Sequence, residues 1–96
     1  MLENNFQSRL IKKLKTLFPG CIVMKNDTAY IQGIPDLTIL YKDKWATLEC
    51  NKSEVAPHRP NQDYFVNSMN EMSFSSFIFP ENEMEIINKL IKFFEC

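Results

Sequence analysis

At 96 residues, 45% hydrophobic and 24% charged, the chain has the size and composition of one globular domain with one modest core, and no apolar run approaches the roughly 20 residues that span a bilayer. Its start reads as a polar amphipathic segment rather than a signal peptide, and its three scattered cysteines (Cys21, Cys50, Cys96) argue against a disulfide framework or a cysteine zinc site and for a reducing cytoplasm. A net charge of −1 argues against nucleic-acid binding through bulk charge, but Lys12, Lys13, Lys15, Lys42, Lys44, Lys52 and Arg59 all precede the late acidic group Glu71, Glu81, Glu83 and Glu85, so a local basic surface is available.

Residues 2–18 read as a helix. At about 100° per residue, Leu2, Phe6, Leu10, Ile11, Leu14, Leu17 and Phe18 form one apolar face, with Arg9, Lys12 and Lys15 on the other. Glu3 falls inside the apolar arc, in the first turn. It is either a solvated carboxylate favoured by the helix dipole or a site residue facing inward. Pro19-Gly20 ends the helix. Residues 21–25 form a short β-prone run, residues 26–28 a turn, and Tyr30-Ile31 a return to extended chain.

The next stretch carries the chemistry. Gly33 is free to take a positive φ, and Pro35 fixes its own φ and extends Ile34, so Asp36 is approached rigidly. Residues 36–42 and 45–51 read as two strands joined by a turn at Lys42-Asp43-Lys44. Alternation places Asp36, Thr38 and Leu40 on one face of the first strand. On the second it groups Trp45, Thr47, Glu49 and Asn51, with Ala46, Leu48, Cys50 and Lys52 opposite. Glu49 follows Asp36 by thirteen positions, which brings both carboxylates to the same end of the hairpin. Two carboxylates there suit a hard divalent cation and are costly beside an apolar core without one.

Residues 53–60 form a polar, proline-punctuated loop containing His58 and Arg59. A helix over 60–72 follows, with proline in its first turn and Phe65, Val66, Met69 and Met72 on its apolar face. Gln62 falls inside that arc, where it either caps local backbone or reaches a site. Residues 74–79 read as a last strand stopped by Pro80, and 82–95 as an amphipathic helix with Met84, Ile86, Ile87, Leu90, Ile91, Phe93 and Phe94 inward. The order is α-β-β-β-α-β-α, a single α/β domain over residues 1–96 with a central mixed sheet flanked by helices. Glu3, Asp36, Glu49 and Gln62 are polar groups aimed inward at element ends, and their convergence marks a candidate active site.

Gly33-Ile34-Pro35-Asp36 followed by Glu49-Cys50-Asn51 resembles the PD-(D/E)XK nuclease motif. More narrowly, the chain resembles small phage-type members of the virus-type replication-repair nuclease (VRR-NUC) domains, a likeness that takes in Glu3, Asp36, Glu49 and Gln62. It implies the restriction-endonuclease-like core and a Mg²⁺ ion, with Mn²⁺ as substitute. The implied ligands are Asp36, Glu49 and the Cys50 carbonyl, with Glu3 reaching the metal directly or through water. It further implies metal-dependent endonuclease action on duplex or branched DNA in phage or mobile-element replication, recombination or repair, and a homodimer in the host cytoplasm. One position departs from the pattern: the family lysine two residues after the glutamate is Asn51 here. Asn can orient a water but brings no positive charge. Either the neutral residue is tolerated, with Lys52 or Lys25 substituting, or the domain is a degenerate module that binds DNA or protein, or the chain is a weakened form of a lysine-bearing enzyme. Lys12, Lys52, His58 and Arg59 are candidate phosphate contacts. The Cys50 side chain belongs to the core.

Overall fold

A computed structural model describes residues 2–95, and the side chains of residues 5–95. Its elements follow the expected order: α1 (Leu2–Leu17), β1 (Ile22–Lys25), β2 (Leu37–Tyr41), β3 (Lys44–Cys50), α2 (Pro60–Met72), β4 (Ser75–Ile78) and α3 (Glu83–Glu95). The sheet runs β1-β2-β3-β4. The first three strands pair antiparallel and β4 joins β3 in parallel, so the sheet is mixed and α2 is the crossover between β3 and β4.

Strand alternation decides what covers each face. Leu37 and Ile39 of β2, Ala46, Leu48 and Cys50 of β3, and Ile78 of β4 pack in one core with Phe6, Leu10 and Leu14 from the first helix, Phe18 just past its end, and Ile86, Ile87, Leu90 and Phe94 from the last. Helices α1 and α3 therefore lie together on one face, tied also by a Lys13–Glu83 salt bridge. On the opposite face α2 packs over β3 and β4. Only Val66 of α2 is fully buried, and the sheet beneath it carries Thr47, whose hydroxyl donates to Ser75 Oγ at 2.8 Å. A polar sheet face under a weakly apolar helix is what a site requires and a core avoids.

The two ends of the β2–β3 hairpin differ in chemistry. At the turn end, Tyr41 meets Phe18 and Phe94 with ring centroids 5.3 and 5.5 Å apart, an aromatic cluster that ties the hairpin to both helices of the core face. The open end carries Asp36 and Glu49. That polarity puts the rigid packing at one end and leaves the polar groups at the other.

Two expectations change. Tyr30-Ile31 is not extended: residues 28–33 lie in turns. Asp27 nucleates them, its Oδ1 accepting the amides of Ala29 and Tyr30 at 3.0 and 3.2 Å, and this local bonding outcompetes a strand. Leu17, Met72 and Met84, placed on apolar faces by periodicity, are 40, 73 and 78% exposed. Each sits in a terminal turn of its helix.

Candidate functional site

Register builds the site. Leu37 pairs with Leu48 and Thr38 with Thr47, so one step outward sets Asp36 opposite Glu49, both on the α2 face. Asp36 is anchored by the strand that carries Glu49: its Oδ2 accepts the Cys50 amide at 3.0 Å. Its approach is clamped by Asn26. The Asn26 side-chain amide donates to the Pro35 carbonyl at 2.8 Å and bonds Thr38 Oγ1 at 2.9 Å, and its backbone amide donates to the Asp36 carbonyl at 2.8 Å. Pro35 is fully buried, which fixes the other side of that approach.

Glu49 is 4% exposed. Its Oε2 accepts from Gln62 Nε2 at 3.0 Å, while Gln62 Oε1 accepts the Arg59 amide at the start of α2, also at 3.0 Å. One side chain thus caps the helix and holds the carboxylate, which ties the position of α2 to the rotamer of Glu49. Asn51 points the same way, is 5% exposed and is held through its own backbone amide by the Ile78 carbonyl at 2.9 Å. Its side-chain Nδ2 is buried and has no hydrogen-bond partner among the described residues. A buried donor without an acceptor is costly, and in a cleft it marks a place where a ligand acceptor fits.

These groups line a cleft of about 750 Å³. Gly33, Ile34 and Asp36 form one side, Glu49 to Lys52 the floor, and Pro57, Arg59, Asn61 and Gln62 the other side. Gly33 has φ +91°, and a β-carbon there would lie 2.8 Å from the Asn61 backbone, so the loop before Asp36 abuts the first turn of α2 directly. Lys52 reaches the cleft because β3 ends at Cys50, before alternation would turn the lysine away.

The remaining predicted residues scatter. His58 is not part of the cleft wall. Its ring stacks on Phe77 with centroids 3.9 Å apart and planes 9° from parallel, and its Nδ1 lies 3.1 Å from Asp63 Oδ1. Those contacts hold the exposed His58 between an aromatic face and a carboxylate. Lys12 is exposed on the first helix, in the layer on the far side of the sheet from the cleft. Lys25 closes β1 outside the cleft. The Glu3 side chain lies outside the described residues. The Cys50 side chain is buried in the core, and burial pushes the Cys21 thiol up against the opposing pull of Lys15, so neither cysteine is set up as a nucleophile. Asn26 was not expected at the site. A lone asparagine in a turn gives no sign that its amide will clamp a proline carbonyl nine residues on.

Among the described residues no three His, Cys, Asp or Glu side chains cluster as a metal cage. The Asp36–Glu49 pair still fits Mg²⁺, which binds through one or two carboxylates and keeps several waters, and it lacks the sulfur and imidazole donors that suit zinc.

A solved structure described as a VRR_NUC domain matches 96% of this chain and 96% of its own length, with 20% identity and a TM-score of 0.72. No family model and no curated protein matches the sequence. At that identity the likeness is one of fold: the protein has the α/β fold of a VRR_NUC domain over nearly its whole length, as the Gly33–Asp36 and Glu49–Asn51 resemblance implies. No described helix is long and apolar enough to cross a membrane.

Proposed function

We propose that this chain is a Mg²⁺-dependent DNA endonuclease acting on duplex or branched substrates, and that it works as a homodimer. The observation that carries this reading is the pairing of Asp36 and Glu49 at the open end of one hairpin, inside a cleft walled by the first turn of α2. Asp36, Glu49 and the Cys50 carbonyl would hold the ion, with Glu3 as a further carboxylate. Bound there, a divalent ion activates water and offsets charge on the phosphate.

The chain's own residues do the rest. The Cys50 amide fixes one oxygen of Asp36, and Gln62 fixes one oxygen of Glu49, so the carboxylates are held in place before substrate arrives. Asn51 Nδ2 is a donor for the attacking water or a phosphate oxygen. Lys52 and Arg59 flank the cleft with positive charge, which lets a chain of net charge −1 attract a phosphate backbone locally. Two copies related by a two-fold axis would present two such clefts to paired strands. Phage or mobile-element DNA processing in the host cytoplasm is the setting that the VRR-NUC resemblance suggests.

The neutral Asn51 favours a second reading, a catalytically impaired module that binds DNA or a protein partner. Cleavage of linear, nicked and four-way DNA with Mg²⁺ or Mn²⁺ separates the two. The nuclease reading predicts cutting of at least one substrate by the unsubstituted chain. Cutting by Asn51→Lys alone would favour the impaired module. Silence of both chains, with salt-sensitive DNA binding retained, would leave only a binding function.

A further inference from the structure

Position 51 lacks a charge, and the same cleft offers replacements. Two cationic residues line the cleft, Lys52 and Arg59. Among the described residues the salt bridges are Lys13–Glu83, His58–Asp63 and Lys89–Glu85, so neither Lys52 nor Arg59 is committed to an acid. They differ in how firmly they are held. Lys52 is exposed and follows the end of β3, at the start of a loop whose internal backbone bonding is the turn from Ala56 to Ser53. Arg59 is fastened on both sides. Its amide donates to Gln62 Oε1 at 3.0 Å, and its carbonyl accepts the amides of Gln62 and Asp63 at 3.0 and 3.2 Å. The residue before it, His58, is stacked on Phe77 and bonded to Asp63. The residue after it is Pro60, whose ring fixes φ at the first helical position.

Gln62 also joins Arg59 to the carboxylates. An unbroken chain runs from the Arg59 amide to Gln62 Oε1, and from Gln62 Nε2 to Glu49 Oε2. The backbone that carries the guanidinium is thereby set at a constant offset from the acidic pair. Across the cleft, Asn51 Nδ2 is a buried donor with no acceptor among the described residues, which is where a phosphate oxygen would be received. A neutral donor on the floor and a planar cation on the wall together supply what one buried ammonium would, and guanidinium suits a phosphate because it donates two parallel bonds.

We propose that Arg59 is the cationic phosphate-binding and charge-stabilising residue of this site, acting with Asn51 in place of a lysine at position 51. Because Arg59 acts here on a scissile phosphate, its role rests on the hydrolytic reading of the cleft.

The test uses the full chain as wild type, Arg59→Ala, Arg59→Lys, Lys52→Ala, Asn51→Lys and the double variant Asn51→Lys/Arg59→Ala. Two quantities are read: single-turnover cleavage with Mg²⁺ or Mn²⁺, and affinity for the same labelled DNA in EDTA across a NaCl series. Arg59→Ala is expected to lower the cleavage rate about a hundredfold, the usual loss on removing one preorganised donor. It should also flatten the slope of log affinity against log salt by about 0.9, the value for one phosphate contact on duplex DNA. Arg59→Lys should keep that slope but not the full rate. Asn51→Lys should restore most of the rate in the Arg59→Ala background, an outcome that general damage to the fold cannot give. Wild-type rate and slope in Arg59→Ala would overturn the proposal, as would a larger loss of rate in Lys52→Ala or the absence of rescue in the double variant at unchanged melting temperature. If Asn51→Lys chains cut and the wild type does not, the carboxylate site stands and Arg59 falls. Silence from every chain overturns both.

Discussion

Glu49→Gln is expected to make the metal-free protein more stable by about 1–3 kcal/mol, because one of two facing carboxyl groups in a buried place is replaced by an amide of the same shape. It should also lower metal-dependent cleavage by about a thousandfold or more, because the proposed metal site loses one of its two carboxylates. The two effects have one origin. Glu49 is 4% exposed and faces Asp36 across the hairpin, so two carboxyl groups lie together with one of them shielded from water. The glutamine keeps an oxygen to accept from Gln62 Nε2, so packing and the helix cap survive while the carboxyl group goes. Thermal unfolding in EDTA and in excess Mg²⁺ or Mn²⁺ checks the prediction. The wild type should gain stability from the ion through mass action and the variant should gain little. A variant that is destabilised without metal, or that still cuts DNA, would show that Glu49 is held as a structural acid.

Gly33→Ala carries the largest expected loss of stability, about 2–4 kcal/mol, or roughly 10–25 °C in melting temperature for a domain of this size. Its φ of +91° is unfavourable for an L side chain, and the new β-carbon would lie 2.8 Å from the backbone carbon and from two side-chain carbons of Asn61. Backbone at the start of a helix does not yield as a side-chain tip does. Relief therefore moves the first turn of α2 away from the loop, and Gln62, the next residue, moves off Glu49. Activity should fall further than stability alone explains. Gly20→Ala is the control: it shares a positive φ of +89° but nothing lies within 4 Å of its added carbon, so it should lose about 1 kcal/mol and keep the site. Equal effects from the two substitutions would show that the contact with Asn61 carries no weight.

What could be read from the chain follows from how local each signal is. Phe6, Leu10, Leu14 and Phe18 recur at helical spacing, and all four are buried, so the first helix and its inward face came from periodicity alone. The hairpin was equally local, because alternation and a short turn determine which residues share a face. The fold class followed from element order, and the VRR-NUC resemblance follows the same order. Features that depend on distant chain were harder. Strand patterns do not say which sheet face receives α2, since Thr47 and Ser75 are polar yet buried beneath it. The stacking of His58 could not be read from its loop because its partner Phe77 arrives nineteen positions later on another strand. Tyr30-Ile31 looked extended because β-prone composition says nothing of the Asp27 side chain that captures the backbone. For Gln62 the sequence left capping and site contact as alternatives, and the geometry combines them because the amide has one acceptor and one donor end pointing opposite ways.

The most direct measurement is the single-turnover rate of DNA cleavage as a function of Mn²⁺ concentration, for the unsubstituted chain and for Asp36→Ala at matched thermal stability. A hydrolytic centre built on Asp36 and Glu49 predicts no cutting in EDTA, a rate that saturates with Mn²⁺, and a loss of about a thousandfold or more in Asp36→Ala. Cleavage that persists in EDTA, equal rates in the two chains, or no cleavage of linear, nicked or branched DNA at any Mn²⁺ concentration would contradict it.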